Sequence, residues 1–277
     1  RLTGVRRVGP AVTLDPIADG VLPSCIGPAT RVVEYLVSAP KAYTAAIRLG
    51  SATDSYVSVG TVTATGDPSG VTLDRLVRAL GAFTGEIEQL PPAYSALKFE
   101  GRPLYEYARA GVPAPRAPRT VMVHRLELLR FEPPVLHIEL EVGRGAYVRT
   151  LAHDLGEALG CHAHLEELTR TRSGPFTLDE ALTPDALREA AAQGGWQELL
   201  YSVDRVLESW SAAILGDAHT RDVCSGRLVV LAPEQLDLPE PAPESPCRAY
   251  SDTGEFLAVL RYRGAKRWHP ERVFAKD

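Results

Sequence analysis

The stretch Gly143-Arg144-Gly145-Ala146-Tyr147-Val148-Arg149-Thr150-Leu151 decides how this chain is interpreted. The alternating apolar segment before it, 135–142, predicts a strand, and leucines at 151, 155 and 159 share one face of a helix that Gly160 ends. The stretch therefore leads from a strand into a helix, with Tyr147 on the entering strand. Arg149 stands in the first helical turn, where a positive charge is unfavourable. Its position favours a functional role over that of a surface arginine.

A second informative segment lies upstream, at Gln89-Leu90-Pro91-Pro92-Ala93-Tyr94-Ser95-Ala96-Leu97-Lys98, and is followed by Arg102, Tyr105 and Arg109. The paired prolines fix the backbone, which also carries rings and positive charges. Taken alone, the segment is interpreted as a proline-stiffened surface segment.

A third segment, Gly9-Pro10-Ala11-Val12-Thr13-Leu14-Asp15-Pro16, lies near the start. Proline restricts the residue before it to extended geometry, so Asp15 is predicted on a stiff loop and not in a helix. A rigid loop carboxylate is a plausible catalytic group. Taken alone, however, the segment is better explained as a turn with a local hydrogen bond from the aspartate side chain.

Together and in this order, these segments resemble the bacterial TruB-type tRNA pseudouridine synthase family over nearly the whole chain. The resemblance implies an α+β fold, with a mixed or antiparallel sheet, flanking helices and a small β-rich PUA-like domain at the C-terminus. It implies a catalytic domain over 1–208 and a PUA-like RNA-binding domain over 209–277. Further elements are predicted from local patterns: helices over 29–38, 72–83 and 183–193, strands over 42–49 and 121–131, and a β-rich region over 215–274.

The activity implied by the resemblance is the isomerisation of uridine to pseudouridine in the T-loop of tRNA, at position 55. The base is flipped out, the glycosidic bond is broken, and the uracil is rejoined through C5. The reaction needs a carboxylate near the ribose, a pocket for the uracil and an acceptor for the C5 proton. No cofactor and no metal are expected.

The resemblance also assigns roles to residues. Asp15 acts on the ribose, as nucleophile or as base; Arg149 pairs with it; and Tyr43 stacks on the uracil or helps to move its C5 proton. Without the resemblance, Tyr43 would be interpreted as a strand tyrosine that covers the core. The resemblance further implies that residues 89–109 form a strand and loop that face an RNA substrate. The expected substrate contacts are Tyr147, Leu168, Tyr94, Lys98, Arg102, Tyr105 and Arg109, of which Leu168 fits an ordinary core leucine nearly as well.

The charge pattern is consistent with a polyanionic partner on selected faces. The whole chain carries a net charge of −5, but the segments 98–130 and 261–277 each carry +4 and flank a proline-rich acidic stretch, 233–246. The expected partner is the T-arm of tRNA, with no membrane, no obligate protein partner and a monomeric state. Four well-separated cysteines indicate reduced thiols and a cytoplasmic protein.

The chain departs from the family pattern in three places. Pro10, Ala11 and Val12 replace a His-Thr-Gly triplet, and Val57 replaces an acidic residue. Residues 1–4 resemble the end of the family's first helix, so an opening segment is expected to be missing. These departures support an alternative, a catalytically weak tRNA-binding or tRNA-folding protein. A hydrolase that uses Asp15 is a third hypothesis, weakened by the lack of a partner carboxylate motif.

Overall fold

A computed structural model describes residues 3–236 and 241–274. Arg1 and Leu2, which belong to the predicted helix end, lie outside the described residues, as do residues 237–240 of the predicted acidic loop and residues 275–277. No helix within the described ranges is long and apolar enough to cross a membrane.

The strands of the described chain are β1 Val8–Pro10, β2 Ala18–Gly20, β3 Ser24–Ile26, β4 Lys41–Leu49, β5 Ser51–Thr53, β6 Val62–Thr65, β7 Gly85–Gln89, β8 Lys98–Phe99, β9 Arg102–Pro103, β10 Arg119–Glu132, β11 Val135–Val142, β12 Ala163–Ser173, β13 Phe176–Thr177, β14 Ala212–Leu215, β15 Val229–Val230, β16 Pro246–Ser251, β17 Phe256–Tyr262 and β18 Arg267–Val273. The α-helices are α1 Val33–Ser38, α2 Leu73–Gly81, α3 Leu104–Arg109, α4 Val148–Ala158, α5 Pro184–Ala192 and α6 Asp217–Cys224. Short 3-10 helices cover Gly27–Val32, Leu178–Glu180, Trp196–Leu199, Val203–Leu207 and Pro233–Gln235.

The chain divides into two compact units. One, here called the seven-stranded unit, contains residues 12–23 and 36–181; the other, the five-stranded unit, contains the described parts of 1–11, 24–35 and 182–277. The domain boundary predicted after residue 208 stays a prediction.

The seven-stranded unit is built on a mixed sheet with the order β13-β12-β4-β11-β10-β7. These neighbours are antiparallel, whereas β2 pairs in parallel with β12. Alternate side chains of β4, β11 and β12 pack with α2 and α4 in one apolar core, whose fully buried members include Ile47, Ile138 and Leu155. The central strands are thereby fixed against the two helices, and α4 starts from this core.

The five-stranded unit is built on a sheet with the order β14-β16-β17-β18-β15, in which β14 and β16 are parallel and the other neighbours antiparallel. Helix α6 lies against this sheet, and Trp268 is the largest fully buried side chain of its core. The segment 24–35 joins the same unit through an ion pair of 3.0 Å between Glu34 and Arg272. The sequence predicted the β-rich character of this region but not the short strands β14 and β16.

Most locally patterned elements agree with the sequence predictions. Strand β4, the β10–β11 hairpin and helices α2, α4 and α5 lie within a few residues of their predicted bounds. The helix predicted over 29–38 is wrong in its first half, because Gly27–Val32 forms a 3-10 helix with proline near its start and only Val33–Ser38 is α-helical. The strand predicted to carry Tyr147 is also wrong: β11 ends at Val142, and a turn at 144–145 leads to the helix.

Candidate active site

Asp15 lies on an irregular loop that leads into β2, as the following proline predicts. The loop closes in a turn, in which the Ala18 backbone N–H donates to the Asp15 carbonyl at 2.8 Å. Beyond the turn, Ala18, Asp19 and Gly20 pair in parallel with 168–170 of β12. The carboxylate therefore stands just before a strand that is fixed to the central sheet.

Arg170 holds this loop from both ends. Its Nε donates to the Val21 carbonyl at 2.7 Å and its Nη1 to the Thr13 carbonyl at 3.2 Å, while the side chain is buried. Gly20 packs so closely that a Cβ there would stand 2.3 Å from the Arg170 carbonyl oxygen, and its φ of +95° favours glycine as well. Two backbone carbonyls that flank Asp15 are thus bound to one buried guanidinium.

Arg149 forms an ion pair with Asp15, with 3.0 Å between Nη2 and Oδ1. The arginine side chain is 6% exposed and the aspartate side chain 28%. Burial raises the pKa of Asp15 above the ordinary carboxyl value, and the positive charge of Arg149 acts against that rise. In the part of the chain that the structure describes, the buried Nε of Arg149 has no hydrogen-bond partner.

Tyr43 lies on β4, opposite Leu140 on one side and Arg170 on the other. Burial raises the pKa of its hydroxyl, the nearby guanidinium of Arg170 lowers it, and the charge of Asp15 raises it further. The phenol therefore stays protonated at neutral pH and can donate a hydrogen bond or relay a proton.

Tyr147 is the residue immediately before α4, and Gln89 fixes its backbone. The Tyr147 N–H donates to Gln89 Oε1 at 3.0 Å, and Gln89 Nε2 donates to the Tyr147 carbonyl at 3.3 Å. Gln89 is 2% exposed, so its side chain makes both bonds from a buried position. The Tyr147 ring centroid lies 5.6 Å from the Arg149 guanidinium carbon, and burial raises the pKa of the Tyr147 hydroxyl. The two hydrogen bonds of Gln89 therefore join the end of β7 to the start of α4, close to the ion pair of Arg149 with Asp15.

Leu168 lies beside β2, the strand that follows Asp15, whereas the predicted RNA contacts between residues 94 and 109 lie on other elements. Leu168 is buried on β12 within the apolar core, where it pairs with Ala18 and Ala45. The segment from Gln89 onward was predicted to begin with a strand, but β7 ends at Gln89. A small hairpin of β8 and β9 and then helix α3 follow it. Tyr94 lies before this hairpin, and the other predicted contacts lie on the hairpin or on α3. Lys98, Arg102 and Arg109 are exposed, whereas Tyr94 and Tyr105 are half-buried. Among residues 3–236 and 241–274, no hydrogen bond or ion pair joins them to Asp15, Tyr43 or Arg149.

Sequence reasoning missed Arg170 and the role of Gln89. Arg170 alternates with Arg172 on the same strand, and Arg172 forms an ordinary half-exposed ion pair of 2.7 Å with Glu141. No local pattern distinguishes the two arginines. For Gln89, its place at the head of the Pro-Pro segment was a signal, but its partner lies 58 residues away.

The arrangement brings a loop carboxylate, a buried guanidinium and a partly buried phenol into one neighbourhood. A carboxylate held in this way can act as a nucleophile or as a general base. Within the described residues, no group of three or more His, Cys, Asp or Glu side chains is placed to hold a metal ion.

Comparison with known proteins gives matches over most of the chain. The N-terminal domain of the TruB family of pseudouridylate synthases matches residues 1–148, and the C-terminal domain of tRNA pseudouridylate synthase B matches residues 149–213. The tRNA pseudouridine synthase B of Thiobacillus denitrificans is 42% identical over 274 residues, which cover 99% of this chain and 88% of that protein. The protein of the same name from Pseudomonas aeruginosa is 38% identical over 279 residues, 98% of this chain and 88% of that protein.

Solved structures agree in fold. A chain from the crystal structure of a Cbf5–Nop10–Gar1 complex superposes with a TM-score of 0.74 at 25% identity, covering 100% of this chain and 77% of that chain. A chain from the structure of an H/ACA RNP bound to a substrate RNA that contains 2'-deoxyuridine gives the same TM-score at 23% identity, with coverage of 99% and 78%.

The fold and these matches define the class of the protein, which is a pseudouridine synthase, an isomerase. Within that class, the chain belongs to the TruB family. The predicted fold class, an α+β synthase with a small β-rich PUA-like domain, is confirmed.

Proposed function

We propose that the protein isomerises the uridine at position 55 in the T-loop of tRNA. Relatives that it matches over 98–99% of its length carry the name tRNA pseudouridine synthase B, which supports tRNA as the substrate. The observation that carries the proposal is the ion pair between Asp15 and Arg149 on a loop fixed to the central sheet. It places a carboxylate beside a cation in a largely buried position, from which the carboxylate can act on the ribose.

Asp15 acts on the ribose of the flipped uridine, either by attack at C1′ or by removal of a proton at C2′. Because burial opposes ionisation of Asp15, the guanidinium of Arg149 is needed to keep the carboxylate charged at the pH of the reaction. Tyr43 stacks on the uracil, and its hydroxyl helps to move the C5 proton after the base has been rejoined.

The T-arm is expected to meet the segment from Tyr94 to Arg109. A uridine in a folded loop must leave its stack before chemistry, which costs about a few kcal/mol. Contacts of the exposed Lys98, Arg102 and Arg109 with phosphates, and of Tyr94 and Tyr105 with bases, offset that cost. Leu168 and Tyr147 are proposed to line the uracil pocket. A monomeric state and a cytoplasmic location stay predictions.

The test is release of tritium from tRNA transcript labelled at C5 of uridine, with the parent protein and with Asp15→Asn. The proposal expects release by the parent alone and comparable tRNA affinity for both proteins. Absence of release from the parent, with tRNA still bound, would instead support the binding protein that the residues Pro10, Ala11 and Val12 suggest. Mapping of the product then shows whether position 55 is the site.

A further inference from the structure

A cavity of about 320 Å³ lies in the seven-stranded unit, beside the predicted RNA-contacting segment. Its walls come from α3, from the basic excursion at 111–116 and from the loop after β5. The polar side chains that line it are Asp54, Tyr94, Tyr107 and Arg116, and its apolar lining includes Leu104 and Val112. Tyr94 belongs to the predicted RNA-contacting segment, and the chemistry proposed for Asp15, Tyr43 and Arg149 uses none of these side chains.

The carboxylate of Asp54 is fixed through one of its two oxygens. Its Oδ1 accepts a hydrogen bond from the Thr61 backbone N–H at 2.9 Å. Gly60 packs against it, since a Cβ there would stand 2.6 Å from Oδ1. Across the ranges 3–236 and 241–274, Oδ2 has no hydrogen-bond partner. One acceptor oxygen is therefore available to a ligand at the cavity.

The guanidinium of Arg116 is held in the same manner. Its Nη1 donates to the Pro91 carbonyl at 3.0 Å, which fastens the basic excursion to the Pro-Pro segment. Arg116 is half-buried although most of its neighbours between 111 and 119 are exposed. Its remaining N–H groups have no partner in the described part of the chain and can donate to a ligand.

Two tyrosine rings supply flat apolar surface. The Tyr107 hydroxyl donates to the Phe99 carbonyl at 3.3 Å, and the two rings meet edge to face with 5.8 Å between centroids. These contacts hold the Tyr107 ring in a fixed position at one side of the cavity. Tyr94 is half-buried at the same cavity. Flat rings of this kind stack on nucleobases.

The position of an acid within a basic region selects the ligand. The segment 98–130 carries a net charge of +4, which attracts phosphates, but the charged side chains that line the cavity itself are one carboxylate, Asp54, and one guanidinium, Arg116, whose charges cancel. The cavity therefore suits an uncharged group that offers donors to Asp54 and acceptors to Arg116. Guanine has this pattern, with N1–H and N2–H₂ as donors and O6 and N7 as acceptors.

We propose that this cavity binds an unpaired guanine base of the RNA substrate, separate from the uridine that reacts. The base stacks on Tyr94 and Tyr107, its N2 amino group donates to Asp54, and Arg116 donates to its O6 or N7. The proposal rests on the proposed function only in the choice of RNA. Binding at this cavity would add affinity and would set the register of the loop on the enzyme.

The test measures binding in an Asp15→Asn background, so that the RNA is not turned over. T-arm stem–loops carry inosine, which lacks the N2 amino group, in place of each loop guanosine in turn. At one position inosine is expected to weaken binding about 10-fold, in line with the discrimination of a specific base contact. Adding Asp54→Asn, which keeps the shape and the Thr61 contact, should remove most of that difference, whereas the matched surface change Asp74→Asn should preserve it.

The outcomes separate the two proposals. If no inosine position shows a penalty that depends on Asp54, the guanine site is refuted, whatever the tritium assay shows. If the Asp54-dependent penalty is present but the parent releases no tritium from tRNA, the guanine site stands and the proposed reaction falls. T-arm RNA that does not bind at all refutes both.

Discussion

Replacing Arg149 by methionine removes the cation that opposes the effect of burial on Asp15. An opposite charge at hydrogen-bond distance typically lowers a carboxyl pKa by about 1–3 units. The pair is 3.0 Å apart, but Asp15 is 28% exposed, so part of the interaction is screened by solvent. Screening reduces the size of the effect but not its direction, so the acidic limb of the pH profile should move to higher pH in Arg149→Met.

The assay is kcat/KM for tritium release, measured from about pH 5 to pH 9. Because the ionised carboxylate is the active form, loss of the cation moves the acidic limb to higher pH. Activity near the low end of the range should therefore fall by a larger factor than activity near the high end. The matched control is Arg172→Met, which removes an arginine paired with Glu141 and should leave the limb in place.

An acidic limb that stays at the same pH, with activity reduced by one factor throughout, would contradict a role for the Arg149 charge in the ionisation of Asp15. It would mean that Arg149 acts through geometry and not through its charge on Asp15. Arg149→Lys adds a further check, because it keeps the charge but loses the planar fork that reaches Oδ1.

Three other changes probe stability. Burial raises the pKa of Asp154 from 3.8 to about 6, so the folded protein loses stability as the pH rises between these two values. Asp154→Asn should therefore raise the free energy of unfolding by about 1 kcal/mol above this pH window and leave it unchanged below the window; an equal gain in acid would contradict this. Gly156→Ala places a Cβ 2.2 Å from the Ala163 nitrogen and should cost about 2 kcal/mol, measured by urea unfolding; an unchanged midpoint would show that α4 can shift freely. Gln89→Leu leaves the Tyr147 N–H without its partner, while the Tyr147 C=O keeps the hydrogen bond from the Leu151 N–H, so the change should cost about 1 kcal/mol and lower kcat. Full activity would show that Tyr147 is placed by other contacts.

The sequence was sufficient where the determining forces are local. Strand β4 and helix α4 follow from apolar periodicity, and the loop conformation of Asp15 follows from the proline after it. The ion pair of Asp15 with Arg149 was expected through the family resemblance, since the two residues are 134 positions apart and no periodic pattern links them.

What sequence reasoning missed depends on contacts between distant segments. Strand β2 is only three residues, Ala18–Gly20, without an apolar run, and it exists because β12 offers a free edge. The hydrogen bonds of the Arg170 side chain to the carbonyls of Thr13 and Val21 depend on that pairing. Helix α3 was missed for a different reason: it is six residues long and follows a proline, so its pattern is too short to distinguish from a loop.

The two hydrogen bonds by which Arg170 holds the loop that carries Asp15 have a consequence for the entropy of the reaction. Fixing the backbone of a residue costs about 1–2 kcal/mol of conformational entropy. Because Arg170 binds the carbonyls of Thr13 and Val21, the loop between them becomes ordered when the chain folds and not when RNA arrives. Each encounter with a substrate then meets a carboxylate already in position, and the binding free energy of the RNA remains for turning the uridine out of its stack.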